Sequence, residues 1–131
     1  MDFKFLLQGI KTCACGKTHI CPIDHIKIGK GALSSLPALC DGYHRILMVS
    51  DQNTYRVCGQ TVAELLGDKI AAHIRFETGG SPLIPDENAI ETISCKVTDD
   101  TDLILGVGSG SGNNQCVIFI RKDNSALLFI K

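Results

Sequence analysis

Residues 45–51 read RILMVSD: four successive apolar residues between an arginine and a Ser-Asp pair. An apolar string of this length without alternation suits a strand buried on both faces of a sheet. It ends at Asp51. Asn53 or Thr54 is placed to cap a helix that follows, and Asp51 itself fits the same role. In the next stretch Cys58, Val62, Leu65 and Leu66 recur at helical spacing until Gly67 stops it.

Working outward, residues 25–29 read as a short strand and 31–40 as a short helix interrupted by Pro37. Downstream, residues 71–76 read as a third strand, followed by a loop with Gly79, Gly80, Ser81 and Pro82. Pro85, Asp86 and Glu87 open a further helix, where proline and acids are favoured, and Ile90, Ile93 and Val97 form its buried stripe. Residues 102–105 (DLIL) make a fourth strand that runs into GVGSGSG. The alternation predicts an α/β fold: an open, mostly parallel sheet covered by helices, with right-handed crossovers. Three parts are expected: an N-terminal arm at 1–22, an α/β domain at 23–112 and a tail at 113–131. Within the tail, QCVIFIRKDNSALLFIK has two apolar runs around a charged turn at Lys122-Asp123-Asn124, the pattern of a hairpin.

Composition limits the function classes. With 131 residues and 44% hydrophobic content, a single domain of this size buries roughly 70% of its unfolded surface, so disorder is not expected. The 13 basic and 14 acidic residues leave a net charge of −1, which excludes nucleic-acid binding through a basic face. No apolar run reaches the roughly 20 residues that span a bilayer, and residues 1–10 do not read as a signal peptide. The expected setting is cytoplasmic, without membrane contact.

Seven cysteines, an odd number, do not fit the disulfide framework of a small secreted protein. Cys40, Cys58, Cys95 and Cys116 lie in or beside apolar stretches and read as buried thiols. Cys13, Cys15, His19 and Cys21 offer four zinc-type donors within nine positions. Their spacing differs from paired Cys-x2-Cys, and surface or packing thiols remain the other reading.

The glycines carry the clearest chemical signal. Gly106, Gly108, Gly110 and Gly112, with Ser109 and Ser111 between them, follow an apolar strand. Glycine there lets backbone amides approach a phosphate, at the strand end where open sheets bind ligands; a flexible turn is the other reading. No Gly-Lys-Ser/Thr follows, so a P-loop is excluded, and the usual dinucleotide fingerprint would sit on the first strand. Asp51 is placed either to accept hydrogen bonds from a ribose diol or to cap the next helix. His25, His44 and His73 read as structural or solvated, none beside an obvious nucleophile, and Asp86-Glu87 and Asp99-Asp100 as helix-start and turn charges. No catalytic residue is assigned.

Four strings in series, IKIGKGALSSLP, RILMVSDQNTY, IPDENAIETI and DLILGVGSG, resemble the N-terminal half of sn-glycerol-1-phosphate dehydrogenases. That family is grouped with glycerol dehydrogenase, iron-type alcohol dehydrogenases and dehydroquinate synthase. CACGKTH before the first strand is similar to a segment of the bacterial glycerol-1-phosphate branch. The resemblance implies a Rossmann-like domain with helices on both faces of the sheet, holding NAD or NADP. It places Asp51 and Asn53 near the adenosine ribose and Gly108, Ser109, Gly110 and Ser111 under the diphosphate. It implies reduction of dihydroxyacetone phosphate by hydride transfer, with zinc or nickel polarising the carbonyl. Asp51 would repel a 2′-phosphate, which favours NAD. Paired subunits, a possible homo-oligomer, are also implied.

Two departures stand out. The family continues after GVGSG with Thr, an apolar residue, Asn and Asp, whereas this chain has Ser111, Gly112, Asn113 and Asn114. The family's metal ligands, an Asp and two His, lie in a C-terminal helical domain that these residues do not contain. A truncated product, its frame shifted from about residue 111, is the expectation: weak nucleotide binding at most and no catalysis alone. The competing readings are a stand-alone flavodoxin-like nucleotide-binding or regulatory module, and a zinc-binding interaction domain built on the N-terminal cysteines.

Overall fold

The computed structural model describes residues 7–21, 23–79, 81, 84, 86–109, 115–121 and 127–130, with side chains for all of these except 109, 115–121 and 127–130. Its strands are β1 (Ile23–Lys27), β2 (Ile46–Asp51), β3 (Ile70–Phe76), β4 (Leu103–Ser109), β5 (Gln115–Arg121) and β6 (Leu127–Ile130). They form one sheet in the order β1-β6-β5-β4-β2-β3. At its centre β2 pairs in parallel with β3 on one side and β4 on the other. This is the parallel, Rossmann-like core that the alternation predicts.

β2 earns its central place by composition. Ile46, Leu47 and Met48 are each at most 1% exposed, so both faces of the strand are covered. Ile46 and Met48 join Leu103, Leu105 and Val107 of β4 in a core closed by Leu36, Cys40, Cys58, Val62 and Leu66 from the helices. The glycines at 106 and 108 alternate with these buried residues, because successive strand residues point to opposite faces.

The tail does form a hairpin, and it belongs to the same sheet. β5 runs antiparallel to β4, β6 antiparallel to β5, and β6 also pairs in parallel with β1. The boundary expected at residue 112 therefore falls between neighbouring strands of one sheet.

Helical elements follow their capping chemistry. A 3-10 turn (Ala32–Ser35) leads into α1 (Leu36–Leu39) with Pro37 at its first positions, where a missing N–H costs nothing. Pro37 thus starts a helix rather than interrupting one. After β2, α2 (Gln52–Thr54), a π turn (Tyr55–Gly59) and α3 (Gln60–Leu66) follow one another without a break. α4 (Glu87–Lys96) is capped by Asp86, whose Oδ1 accepts from the Ala89 N–H at 2.9 Å. The expected stripe of Ile90, Ile93 and Val97 is not buried: α4 has no buried residue, and Ile90 is 62% exposed. Ala89, Ile93 and Val97, at steps of four, form a half-buried row that keeps two residues of the expected stripe, and Ile90 lies about 100° round the helix from Ala89.

Two charged side chains tie elements together. The Asp102 carboxylate accepts from the His44 and Arg45 N–H groups at 2.7 and 3.0 Å, joining the starts of β2 and β4. Lys69 Nζ donates to the carbonyls of Cys40, Asp41 and Tyr43 at 2.9–3.0 Å, behind α1. Cys40 and Cys58 are buried as expected, but Cys95 is exposed on the outward side of α4. Cys116 lies among the residues whose side chains are outside the described set. Among the described residues no helix is long and apolar enough to cross a membrane.

Candidate functional site

The sheet order fixes where a ligand would sit. From β2 the chain steps outward to β3, then returns past β2 to β4 on its far side. Between β2 and β4 the direction of strand addition reverses, and open α/β sheets bind ligands at the carboxyl ends of strands at such a point. Asp51 is the last residue of β2. The β2–β4 pairing ends at Ser50↔Val107, so Asp51 and Gly108 stand at the same level one residue beyond it.

Asp51 has an extended backbone and caps the helix that follows. Its Oδ1 accepts from the Asn53 and Thr54 N–H groups at 2.7 and 2.8 Å, while the Thr54 hydroxyl accepts from its own N–H at 3.0 Å. This capping box occupies one carboxylate oxygen. Among the described residues, Oδ2 takes no hydrogen bond. Helix capping and diol recognition are therefore compatible: each uses a different oxygen of the same half-buried group. Asn53 contributes its backbone N–H to the cap and is exposed at the same end. Asp51, and not Asn53 or Thr54, is the N-cap.

β4 runs on to Ser109 instead of ending at Leu105, so Gly106 and Gly108 are strand residues. On the side away from β2, Gly108 pairs with Cys116 and Ser109 with Gln115. Alternate residues of a strand turn their amides to opposite neighbours. Only one of Gly108 and Ser109 can therefore direct its N–H away from β5. Among the described residues, a Cβ added to Gly108 would meet nothing within 4 Å. Gly110 and Ser111 lie outside the described residues.

Beneath Asp51 sits a polar layer that sequence reading missed. Ser50 Oγ lies 2.8 Å from His73 Nε2, and the Tyr55 ring is centred 5.0 Å from the His73 ring. The Arg75 guanidinium is 5.3 Å from the Tyr55 centroid, and its Nε is 3.4 Å from Glu77 Oε1. His73 therefore does have a hydroxyl partner. Burial holds the His73 pKa below its ordinary value, and the Arg75 charge lowers it further, so the ring is neutral at pH 7. At 3% exposure Ser50 is buried, so its hydroxyl is not presented to a substrate. The signal was the register: Met48↔His73 and Ser50↔Arg75 place these residues on one face, which neither strand reveals alone.

The π turn brings Tyr55 to this layer. A Cβ on Gly59 would stand 2.8 Å from Tyr55 Cδ2 and 3.2 Å from Met48 Cε, so the ring packs against a backbone that only glycine supplies. Beyond β3 a cavity of about 420 Å³ opens, lined by Phe76, Glu77, Ile84, Asp86, Asn88 and Ala89 among others. Phe76, which lines the cavity, is the register partner of Asp51 on the neighbouring strand.

In the N-terminal arm, the sulfurs of Cys13 and Cys15 and a ring nitrogen of His19 lie within 4.8 Å of one another, whereas Cys21 falls outside the group. The Cys13 thiol is held below its ordinary pKa by hydrogen bonds from Cys15, the backbone one first. Among the described residues no other set of His, Cys, Asp or Glu converges this way, and no Asp-His-His set is present.

No family model matches the chain, and no solved structure does. Two curated relatives do match. One, from Halalkalibacterium halodurans, is 33% identical over 105 residues, covering 76% of this chain and 26% of the relative; it is named glycerol-1-phosphate dehydrogenase [NAD(P)+]. The other, of the same name and from Geobacillus stearothermophilus, is 25% identical over 108 residues, covering 77% of this chain and 26% of its own length. The chain thus spans about a quarter of the curated relatives it matches.

Proposed function

Starting from this kinship with glycerol-1-phosphate dehydrogenases, we propose that the chain is the cofactor-binding portion of an NAD(P)-dependent oxidoreductase of that type. The observation that carries the reading is Asp51: a carboxylate at the order reversal of the sheet, with Oδ1 committed to the helix and Oδ2 free of partners among the described residues. Oδ2 takes the hydroxyls of the adenosine ribose, and the adenine enters the cavity beside Phe76 and Ile84. On this reading the diphosphate is held by Gly108 and the residues after it, Ser109, Gly110 and Ser111.

The described residues fit a nucleotide in three respects: an Asp51 oxygen without a partner among them, a Gly108 whose added Cβ would meet none of them within 4 Å, and a cavity beside Phe76, the register partner of Asp51. They do not supply an Asp-His-His metal set among the described residues, so no step through a catalytic metal is assigned to them. On this reading the role of the chain is to hold the cofactor, and the reduction of dihydroxyacetone phosphate is not assigned to its described residues. When bound, the nicotinamide would supply the hydride.

Asp51→Ser separates the two roles of the carboxylate, because serine remains a good N-cap but lacks the second oxygen. Losing a charged hydrogen bond worth about 1.5–3 kcal/mol predicts a roughly 10–100-fold weaker NADH affinity, followed by fluorescence, with an almost unchanged melting temperature. The same variant narrows the preference for NADH over NADPH, since it removes the charge that repels a 2′-phosphate. Equal NADH binding by wild type and Asp51→Ser would sink the assignment.

A further inference from the structure

The arm contains a short hairpin whose purpose the nucleotide reading leaves open. Ile10 and His19 exchange backbone hydrogen bonds at 2.8 Å in both directions, and the Thr18 hydroxyl donates to the Lys11 carbonyl at 3.2 Å. At the far end Gly16 N–H donates to the Cys13 carbonyl at 2.9 Å, and Gly16 takes the positive φ of 77° that its place in the turn requires. Gly9 is equally constrained: its φ is +67°, and any Cβ there would collide with the His19 carbonyl oxygen. Base and turn are both fixed by the backbone, so the Cα positions between them are defined while the side chains stay free to rotate.

Those side chains are metal donors. Cys13 Sγ, Cys15 Sγ and a His19 ring nitrogen share a 4.8 Å neighbourhood, and Cys15 Sγ to His19 Nε2 measures 3.1 Å. Tetrahedral zinc, with Zn–S near 2.3 Å and Zn–N near 2.0–2.1 Å, needs donor-to-donor edges of about 3.5–3.8 Å. The Cys15–His19 separation is shorter than that value and no pair in the group exceeds 4.8 Å, so rotation of the exposed Cys15 and His19 side chains brings the donors to it. Two soft sulfurs and an imidazole select zinc-class cations over the hard ions that carboxylates prefer. Two thiolates also neutralise the divalent charge.

We propose that Cys13, Cys15 and His19 hold one zinc ion, with a water in the fourth position. Cys21 is outside the group and supplies no ligand, while the exposure of Cys15 and His19 leaves the fourth side open to solvent. The ion ties the turn of the hairpin to its base, and the site is independent of the nucleotide reading.

The test uses the reduced, untagged chain. Elemental analysis should find close to one zinc per chain, and Co²⁺ should give the visible absorption of a tetrahedral thiolate site that zinc abolishes. Cys13→Ser, Cys15→Ser and His19→Gln should each weaken Co²⁺ binding by roughly 100-fold or more, beyond what loss of an outer-shell partner costs. Cys21→Ser should leave it unchanged. In the wild type, zinc should slow alkylation of Cys13 and Cys15 while exposed Cys95 reacts as before, a reading that needs no variant to fold. Absent zinc with the thiols reduced, a Cys13–Cys15 disulfide under the same conditions, unaltered binding in any of the three ligand variants, or a loss in Cys21→Ser equal to theirs would overturn the site.

Discussion

Tyr55, Gly59 and His73 show how much depends on single residues. Gly59→Ala improves helix propensity by up to about 1 kcal/mol, but the new methyl meets Tyr55 at 2.8 Å and Met48 at 3.2 Å. Overpacking of this kind costs about 1–3 kcal/mol, so a net loss near 1 kcal/mol is expected in urea unfolding, together with altered tyrosine fluorescence. His73 makes stability depend on pH. Its folded pKa lies below the unfolded value of 6.5, so the unfolded chain binds the proton more readily. The contribution is complete above pH 6.5 and is lost as the pH falls toward the folded pKa. His73→Gln should flatten the melting temperature across that range relative to wild type. Cys40 behaves in the opposite sense: burial pushes its thiol up to about 11, offset in part by Lys69, so iodoacetamide at pH 8 should modify exposed Cys95 far faster. At this scale Asp51 was legible because a strand-ending acid before a helix has few uses. The Ser50–His73 pair was not, because only the β2–β3 register joins residues 23 positions apart.

Elements repeat the lesson with different physics. β2 could be read from seven letters because burial on both faces leaves no alternation to misinterpret. α4 could be placed but only partly oriented: of the stripe Ile90, Ile93 and Val97, the last two are half-buried together with Ala89 while Ile90 is exposed, and hydrophobic spacing alone does not distinguish neighbouring rows. Ile90→Glu should accordingly change stability by no more than about 0.5 kcal/mol, whereas a buried isoleucine would cost several times that. Lys69 shows the converse, a surface-type residue that anchors α1 and the loop after it. Lys69→Met removes all three hydrogen bonds to the Cys40, Asp41 and Tyr43 carbonyls and should cost about 1–3 kcal/mol in the same unfolding measurement. The length of β4 was misread because glycine weakens strand propensity, while pairing with β5 sustains the strand to Ser109.

At the scale of the whole molecule, the parallel centre followed from alternation, but the six-strand order did not, since nothing in residues 23–27 names residues 127–130 as their partner. Deleting residues 127–131 should raise amide exchange along 23–27 while leaving that of 46–51 protected by β3 and β4. The same adjacency has a consequence for biogenesis. β1 meets β6, the strand it pairs with, only when residues 127–130 have been synthesised, about 100 residues later. At ordinary translation speeds that is a delay of roughly 5–20 s, during which the nascent edge of β1 is a docking point for chaperones or for another polypeptide.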